Sequence, residues 1–580
     1  MATRGGSVHV STTRRHYKDK TYETHLLRRS YREDGKVKSE TVGNLSHLTP
    51  EVIEIIRRAL KGETFVAASG AFEIERSLPH GHVAAVAAMA AKLGLPKLLG
   101  PAGRKRDLAL ALIVARVVRP GSKLATTRWW QDTTLAQDLG VDGATTDDVY
   151  SAMDWLHSRQ ESIEAALASR HLSPGGLALY DLSSSYVEGS CCALAKRGYS
   201  RDQKRGKAQI NYGLMTDVEG RPLSIEVFAG NTADPSAFVS AVDQLRQRFG
   251  LDKMVMVGDR GMITSARIEA LREIGGMGWV SALRAPQIQA LAEAGAVQMS
   301  LFDETSLAEI THPDYPGERL VCCRNPALAD ERRRKREELL NATEIELTKI
   351  KQATMRDKRA LEGKDRIGLR VGRMINKYKV AKHFELDIAD DSFGYARKQD
   401  RIDKEAALDG VYVVRTSVGR DDLSAPEVVA AYKRLSVVER DFRSLKSVDL
   451  ELRPIRHRRD ERVRAHALIC MLAEYLVWHL RKAWAPLTFT DEERPVNQDP
   501  IGPARRSESA AAKASRRRTS ADEPAHSFAT LLDHLGTLIR SDVRVDGAGK
   551  QPPFQRLSEP TPIQRKAFEL IETTVPLRVL

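Results

Sequence analysis

The chain has 580 residues, with 42% hydrophobic and 29% charged, the balance of a soluble globular protein of about three or four domains. No run reaches the ~18 apolar residues of a membrane span. The N-terminus MATRGGSVHV lacks a signal-peptide core, and the five cysteines show neither a disulfide framework nor zinc spacing. We therefore expect a cytoplasmic protein without a membrane partner. The net charge of +14 indicates either an anionic partner such as nucleic acid or simply an arginine-rich enzyme.

The first 62 residues are basic, with 13 Lys and Arg against 7 Asp and Glu. Residues Thr24–Asn44 alternate on both sides of the turn Glu33-Asp34-Gly35, which predicts a hairpin. A capped helix over Leu48–Gly62 follows. This hairpin–helix module is interpreted either as a DNA-contacting unit or as a simple N-terminal appendage.

Residues 80–172 are predicted to be helical, with breaks at glycine and proline. The apolar positions recur at helical spacing in Val83–Leu93, Asp107–Val118, Ser122–Leu139 and Thr146–Ala168.

The pattern changes at Leu177 to short apolar runs separated by helices, which predicts an α/β sheet. The predicted strands are Leu177–Asp181, Ala208–Asp217, Arg221–Ala229, Lys253–Asp259 and Gly278–Arg284. The predicted helices are Asp234–Phe249 and Ser265–Ile274.

The rest of the chain is mixed. A charged stretch, Ala329–Glu362, predicts a solvated helix or a short helical hairpin, and strands are predicted near Tyr378–Leu386 and Gly410–Thr416. Helices are predicted over 425–447 and Val463–Trp484. Residues 485–526 are rich in Pro, Ser, Ala and charge, which favours a flexible linker, and helical pieces are expected after it.

Three carboxylates stand out by their positions. Asp181 ends the first predicted strand of the sheet, Asp259 ends the fourth, and Glu439 lies in a helix. Acids at strand ends can bind divalent cations for phosphoryl transfer, and two such cations clamp the attacking and leaving oxygens. The alternative is that these acids only cap helices or form turns.

The sequences around these acids carry a family resemblance. YDLSSSYVEG, VGDRGM and YKRLSVVERDFRSLK together resemble the DDE transposases of bacterial insertion sequences, in the branch with a YREK signature. Tyr432 lies seven residues before Glu439 and Lys446 seven after it. The Arg position of the signature falls on Leu435, so Arg434 or Arg440 is the candidate substitute.

The resemblance implies a multidomain α/β fold with an RNase H-like mixed five-stranded sheet, an α+β insertion and a helical N-terminal region. The expected domains are a hairpin–helix module (1–62), a helical DNA-binding or dimerisation region (63–172), the first part of the core (173–285), the insertion (286–424), the second part of the core with the catalytic Glu (425–484), a flexible linker (485–526) and a C-terminal helical tail (527–580).

The resemblance also implies a mechanism. Asp181, Asp259 and Glu439 would bind two Mg²⁺ or Mn²⁺ ions, cut DNA at the element's ends and transfer the freed 3′-OH into target DNA. The expected partners are terminal inverted repeats, target DNA and a second copy of the chain, on the bacterial nucleoid. The candidate DNA contacts are Tyr432, Arg434, Arg440, Lys446, Arg201, Lys204, Arg205, Arg260 and Arg458.

Two other functions remain open from the sequence. One is a domesticated or inactive relative that only binds DNA. The other is an RNase H-like nuclease that cuts without strand transfer.

Overall fold

The computed structural model describes residues 6–579 except 19, 34, 64, 66–71, 205, 262, 264–267, 270, 273–274, 304, 494–500, 503–504 and 546–551. The chain divides into two compact units, Met1–His80 with Leu538–Pro560, and Gly81–Thr537 with Thr561–Leu580. No helix within these described residues is long and apolar enough to cross a membrane.

The first unit begins with an antiparallel three-stranded sheet in the order β1-β2-β3, followed by a helix that buries Ile53. The predicted hairpin corresponds to β2 and β3, whose register closes at Glu33 opposite Lys36. The predicted helix is also present, although the turn residue Asp34 lies outside the described residues. These elements are β1 (Ser7–Tyr17), β2 (Lys20–Glu33), β3 (Lys36–Asn44) and α1 (Pro50–Ala59).

A second small sheet completes this unit and differs from the expected C-terminal helical tail. Strand β4 (Phe72–Pro79) pairs with β15 (Ile539–Val545), which pairs with β16 (Phe554–Leu557). The expected helix ends at Gly536. The residues that follow place valines at alternate positions, the period of a strand, and β4 supplies the backbone partners.

The second unit starts with the predicted helical region, where two predicted helices are each divided in two. Ser158 and Arg159 interrupt one of them, since the Ser158 hydroxyl donates to the Trp155 carbonyl and Arg159 Nε donates to the Leu99 carbonyl. The helices are α2 (Gly81–Lys92), α3 (Leu95–Leu99), α4 (Arg104–Val118), α5 (Lys123–Trp130), α6 (Leu135–Asp138), α7 (Thr146–His157) and α8 (Gln160–His171).

The main sheet is mixed, and its described part has eight strands in the order β10-β11-β14-β9-β8-β5-β6-β7. β5, β8 and β9 run parallel, and the other neighbours are antiparallel. The strands are β5 (Leu177–Tyr186), β6 (Gln209–Thr216), β7 (Pro222–Ala229), β8 (Met254–Gly258), β9 (Met277–Ala282), β10 (Leu307–Ile310), β11 (Arg319–Arg324) and β14 (Val411–Thr416).

The expectation of five strands therefore understates the sheet, because the segment 286–424 adds three more strands at one side. Two of them, β10 and β11, were not predicted. Residues Leu320, Val321, Cys322 and Cys323 of β11 are all buried. A short strand buried on both faces has no alternating pattern, which explains why periodicity did not reveal it.

The remainder of the insertion forms its own small core. Leu340, Leu347 and Ile350 of the long charged helix pack on Ile367 and Val371 of the next helix. The stretch Ala329–Glu362 therefore holds one continuous helix with a buried apolar stripe, and the predicted short hairpin within it is wrong, because the second helix begins only at Lys364. Its other elements are a two-stranded sheet and a short helix. The bounds are α11 (Pro326–Thr354), α12 (Lys364–Ile375), β12 (Phe384–Ile388), β13 (Phe393–Arg397) and α13 (Gln399–Ala406).

The remaining helices complete the unit, and a largely buried one joins the sheet to the helical region. They are α9 (Asp234–Asp243), which continues as a π-helical turn (Gln244–Arg248), α10 (Ala285–Glu293), α14 (Ala425–Lys433), α15 (Leu435–Arg443), a π-helical turn (Ser444–Val448), the largely buried α16 (Asp460–Ala483), α17 (Glu508–Arg516), α18 (Phe528–Gly536) and α19 (Pro562–Leu570).

The described part of the predicted flexible linker is folded. Lys513 of α17 is buried, and its ammonium donates to the carbonyls of Ala485 and Thr490 and to Glu492. The Ser507 side chain caps the helix at its N-terminus. Its Ala-rich sequence is helix-forming, and the lysine satisfies buried oxygens that would otherwise lose water.

Lys513→Met should expose this segment to proteolysis. The substitution leaves two carbonyls and a carboxylate without their cation, at a cost of about 1–3 kcal/mol. Tryptic cleavage at Arg516–Arg518 should accelerate about tenfold or more in a limited-proteolysis time course. Lys482→Met, at an exposed lysine, is the control. Equal cleavage rates in wild type and Lys513→Met would support a flexible linker instead.

Glu164 should make the stability of this unit depend on pH. It is fully buried on α8, accepts hydrogen bonds from Ile225 N and two glutamines, and has a pKa raised to about 7 by burial. Because the folded state holds this proton more tightly than the unfolded state, stability should fall as pH rises from about 4.5 through 7.

Glu164→Gln mimics the protonated carboxyl. The fall in the free energy of unfolding between low and high pH should therefore be about 3 kcal/mol smaller in this variant than in wild type. Calorimetric melting at pH 5 and pH 8 measures the difference, with the exposed Glu161→Gln as the matched control. A pH dependence unchanged by Glu164→Gln would contradict the assignment.

Candidate active site

The two aspartates lie side by side because of strand register. The parallel pairing of β5 and β8 ends at Tyr180 opposite Gly258. The next residue is Asp181 after Tyr180 and Asp259 after Gly258, so the two acids follow the paired segments side by side. Asp181 does not end its strand as expected, since β5 continues to Tyr186 in antiparallel pairing with β6. Asp181 therefore lies in mid-strand, at the level where its parallel neighbour stops.

Glu439 is carried by α15. The apolar side chains of Leu435, Val438 and Phe442 are buried, and the Phe442 ring packs against Tyr212 of β6 at 5.7 Å between centroids. The helix thereby lies on the sheet, and Glu439 is on its exposed side. Apolar residues at helical spacing fix this orientation.

The three carboxylates influence one another electrostatically. Burial, followed by the negative charges of Asp259 and Glu439, raises the pKa of Asp181 to about 7. In the part of the chain that the structure describes, no group of three His, Cys, Asp or Glu side chains could hold a metal ion as arranged. The acids thus share one region without forming a closed ligand cluster.

The donor chemistry of this region fits a divalent cation. All three candidate ligands are carboxylates, and hard cations such as Mg²⁺ prefer oxygen ligands. The raised pKa of Asp181 shows that its ionised form lacks sufficient positive charge nearby. A bound cation would supply that charge.

Tyr432 lies directly beside the aspartates. Its hydroxyl donates to Asp259 Oδ1 at 3.4 Å, and burial together with the charge of Asp259 raises the pKa of the phenol. The phenol therefore stays protonated at neutral pH and serves as a hydrogen-bond donor.

Lys446 is held by an acid that the sequence analysis did not select. Its ammonium lies 3.0 Å from Asp202, whose carboxylate also accepts from Arg453 at 2.6 Å and from Tyr186 N at 3.1 Å. The Asp202 side chain is only 1% exposed. The sequence signal that could have identified Asp202 is that it is the single acid in the basic segment Gly198–Lys207.

Several of the predicted basic residues lie near the acids. Positive charge from Arg201 lowers the pKa of Asp181, and the Arg201 backbone N–H donates to Ser184 of β5 at 3.0 Å. Arg260 follows Asp259 and acts electrostatically on Tyr432. The ammonium of Lys204 lies 5.9 Å from the centroid of the Tyr186 ring. Arg205 lies outside the described residues.

Other predicted residues are exposed elsewhere. Arg440 lines a cavity of about 1320 Å³ with Asp441 and Trp478, and none of the three candidate acids lines that cavity. Arg434 is exposed at the junction of α14 and α15, and Arg458 is exposed just before α16.

A mixed sheet with acids at the end of a parallel strand pair is suited to metal-dependent phosphoryl transfer. Residues 175–476 match the family model of the transposase DDE domain, and residues 10–69 match the N-terminal domain of IS1634 family transposases. Because the first match spans more than half of the chain and includes all three acids, the chain belongs to the DDE transposase family of bacterial insertion sequences.

Comparison with solved structures gives a weaker likeness. The piggyBac transposase, in a cryo-EM structure of its synaptic complex with hairpin DNA, aligns over 79% of this chain and 76% of that chain. The sequence identity is 9% and the TM-score 0.34, so this likeness carries no further argument. A comparison with curated proteins gives no match.

Asp202→Asn should release Lys446. Asparagine keeps the size of the side chain but removes the charge that two cations share, and breaking a buried ion pair costs about 3–5 kcal/mol. Lys446 should be acetylated at least about tenfold faster, as measured by mass spectrometry of the folded protein.

Glu188→Gln provides the control, since Glu188 pairs with Lys207 and Arg456 at 3.3 Å nearby but is more exposed. Unchanged acetylation of Lys446 in Asp202→Asn would show that the lysine is not held by this acid.

Proposed function

We propose that Asp181, Asp259 and Glu439 are the catalytic metal ligands of this transposase and that two Mg²⁺ or Mn²⁺ ions bind between them. The register that ends β8 beside Asp181 carries this proposal, because it brings two acids together at one point of the sheet. When bound, the cations would stabilise charge on the phosphoryl oxygens and make water a stronger nucleophile.

The arrangement of five strands in the main sheet supports the assignment of an RNase H-like core. Within the larger sheet, β7-β6-β5-β8-β9 form a five-stranded portion in which β5, β8 and β9 are parallel and β6 is antiparallel to its neighbours. We propose that this portion is the catalytic core and that the insertion extends it. The domain boundaries given by the sequence stay part of this proposal.

The side chains around the acids would bind and orient DNA. Arg201, Lys204 and Arg260 would neutralise phosphates beside the scissile bond, and the sequence proposes the same role for Arg205. Tyr432 would hold the Asp259 carboxylate in place through its hydroxyl. Lys446, fixed by Asp202, would contact the terminal phosphate. Arg434, Arg440 and Arg458 would contact DNA farther from the acids.

The reaction would proceed without a covalent protein–DNA intermediate. Water attacks phosphorus at the element's end and the bond to the 3′ oxygen breaks, which leaves a 3′-OH on the element and a 5′-phosphate on the flanking DNA. The freed 3′-OH then attacks a phosphate of target DNA and displaces the 3′ oxygen of the target strand, which leaves as a 3′-OH. The protonated Tyr432 is no nucleophile in this scheme. Since two terminal inverted repeats must be paired, we propose that two copies of the chain assemble on the DNA.

The test is a cleavage and strand-transfer assay on DNA carrying the flanks of the gene. Wild-type protein should produce 3′-OH ends at the element boundary and joined products with Mg²⁺ or Mn²⁺, but not with EDTA. Glu439→Gln should lose about 100- to 1,000-fold in rate, because it removes a negatively charged ligand of the proposed cations that would stabilise charge at the reacting phosphate, while DNA binding is retained.

Glu451→Gln changes an exposed acid outside the site and should cut like wild type. Cleavage without joined products would favour the nuclease alternative. Binding without cleavage by wild type would contradict the catalytic assignment and favour a protein that only binds DNA.

A further inference from the structure

A cleft of about 690 Å³ lies between the main sheet and the insertion, next to the candidate acids. Arg260 and the start of α10 form one side of it. The other side is formed by α11, by the segment that precedes β12 and by α13. Tyr432 lines the cleft and also contacts Asp259, so one side chain borders both the cleft and the candidate acids.

The cleft carries positive charge that the protein leaves uncompensated. Seven Lys and Arg side chains line it against two acids. Asp409 pairs with Arg336 at 2.9 Å, and Glu405 pairs with Lys382 and His383. Three further cations of the lining are exposed and have no acidic partner within ion-pair distance among the described residues. They are Lys335, Lys379 and Lys404.

Aromatic and buried polar groups accompany this charge. Tyr378, Tyr412 and Tyr432 line the cleft, and so does His383, which is 1% exposed with no hydrogen-bond partner at Nδ1. Cations along a groove with aromatic faces between them are the usual means of binding single-stranded nucleic acid. The volume falls within the ~300–1,000 Å³ of small-ligand pockets, which is too small to enclose a duplex.

We infer that this cleft binds a single DNA strand where it leaves the active site. The inference rests on the proposed function, because the acids define where the strand starts. Lys335, Lys379 and Lys404 bind its phosphates, and Tyr378 offers a face for a base. The insertion then contributes directly to substrate binding.

The test measures binding without chemistry. Fluorescence anisotropy in EDTA compares the full-length protein on a random-sequence duplex with blunt ends and on the same duplex with a single-stranded tail at either the 3′ or the 5′ end. Wild type should bind one tailed duplex at least tenfold more tightly than the blunt one. The triple variant Lys335→Gln, Lys379→Gln and Lys404→Gln should lose that preference.

The salt dependence gives a second reading. Each lost phosphate contact to a single strand reduces the slope of log K against log salt by about 0.7, so the triple variant should bind tailed DNA with a slope shallower by about 2. The control variant is Lys351→Gln, Lys358→Gln and Lys364→Gln. It changes the same charge on exposed lysines of the insertion outside the cleft and should behave as wild type.

Base stacking is tested with 2-aminopurine in the tail. Its fluorescence should be quenched by wild type and by Tyr378→Phe, but not by Tyr378→Leu. Equal quenching by both variants would remove Tyr378 from the inference.

Three results would overturn the cleft assignment. They are no tail preference in wild type, an unchanged preference in the cleft variant, and equal competition by polyglutamate, which would indicate a general polyanion site. None of these concerns metal-dependent cleavage. A wild type that prefers tailed DNA but does not cut would instead contradict the proposed function while leaving the cleft assignment in place.

Discussion

The parallel pairing of β5 with β8 is the constraint on which the site depends. This pairing stops at Tyr180 and Gly258, and the residue that follows each of them is an aspartate. Neighbouring strands are ~4.8 Å apart, so the carboxylates of Asp181 and Asp259 lie close together. Beyond this point β8 has ended, and β5 pairs only with β6 among the described strands. The pKa of Asp181 is raised first by burial and then by the neighbouring charge of Asp259. A site that is unfavourable to ionise when empty is well suited to cations, because they remove the cost on binding.

The insertion is part of the same sheet and returns the chain to the site. β14 pairs with β9, and the Thr416 hydroxyl donates to the Trp279 carbonyl at 2.7 Å. Arg415 and Glu318 form a buried bidentate ion pair at 2.6 Å, which ties β14 to the residues just before β11. These contacts fix the point from which α14 and α15 start. The long separation of Asp259 from Glu439 is therefore bridged by sheet pairing and not by a loose loop.

Much of the fold could be predicted from local pattern. Amphipathic spacing gave the helix of Glu439, and apolar runs located β5 to β9. The end of β5 could not be predicted, because Ser183, Ser184 and Ser185 do not favour strands by propensity. They are buried there by tertiary hydrogen bonds, such as that of Ser185 with Tyr212 at 3.0 Å.

The pairing of strands that are distant in the chain could not be predicted from the sequence. The strand β15 takes its partner from β4, and the contact between Ser77 and Ser541 spans 464 residues. Nothing local identifies that partner. The candidate acids could be selected because motif order survives in the sequence, whereas the role of Asp202 depends on which cations the fold brings to it.

The basic residues divide into two kinds that do different work. Lys446 and Arg453 share the buried Asp202. This pairing costs the charged groups part of their hydration, but it fixes the positions of the two cations. Lys335 and Lys404 remain exposed with no acidic partner in ion-pair range among the residues that the structure describes, which costs little in the free protein and would favour binding of a polyanion. On the proposed function, the fixed cations would set where a phosphate lies relative to the acids, and the exposed cations of the cleft would supply affinity. A net charge of +14 alone could not distinguish them, because the distinction lies in which cations the fold neutralises.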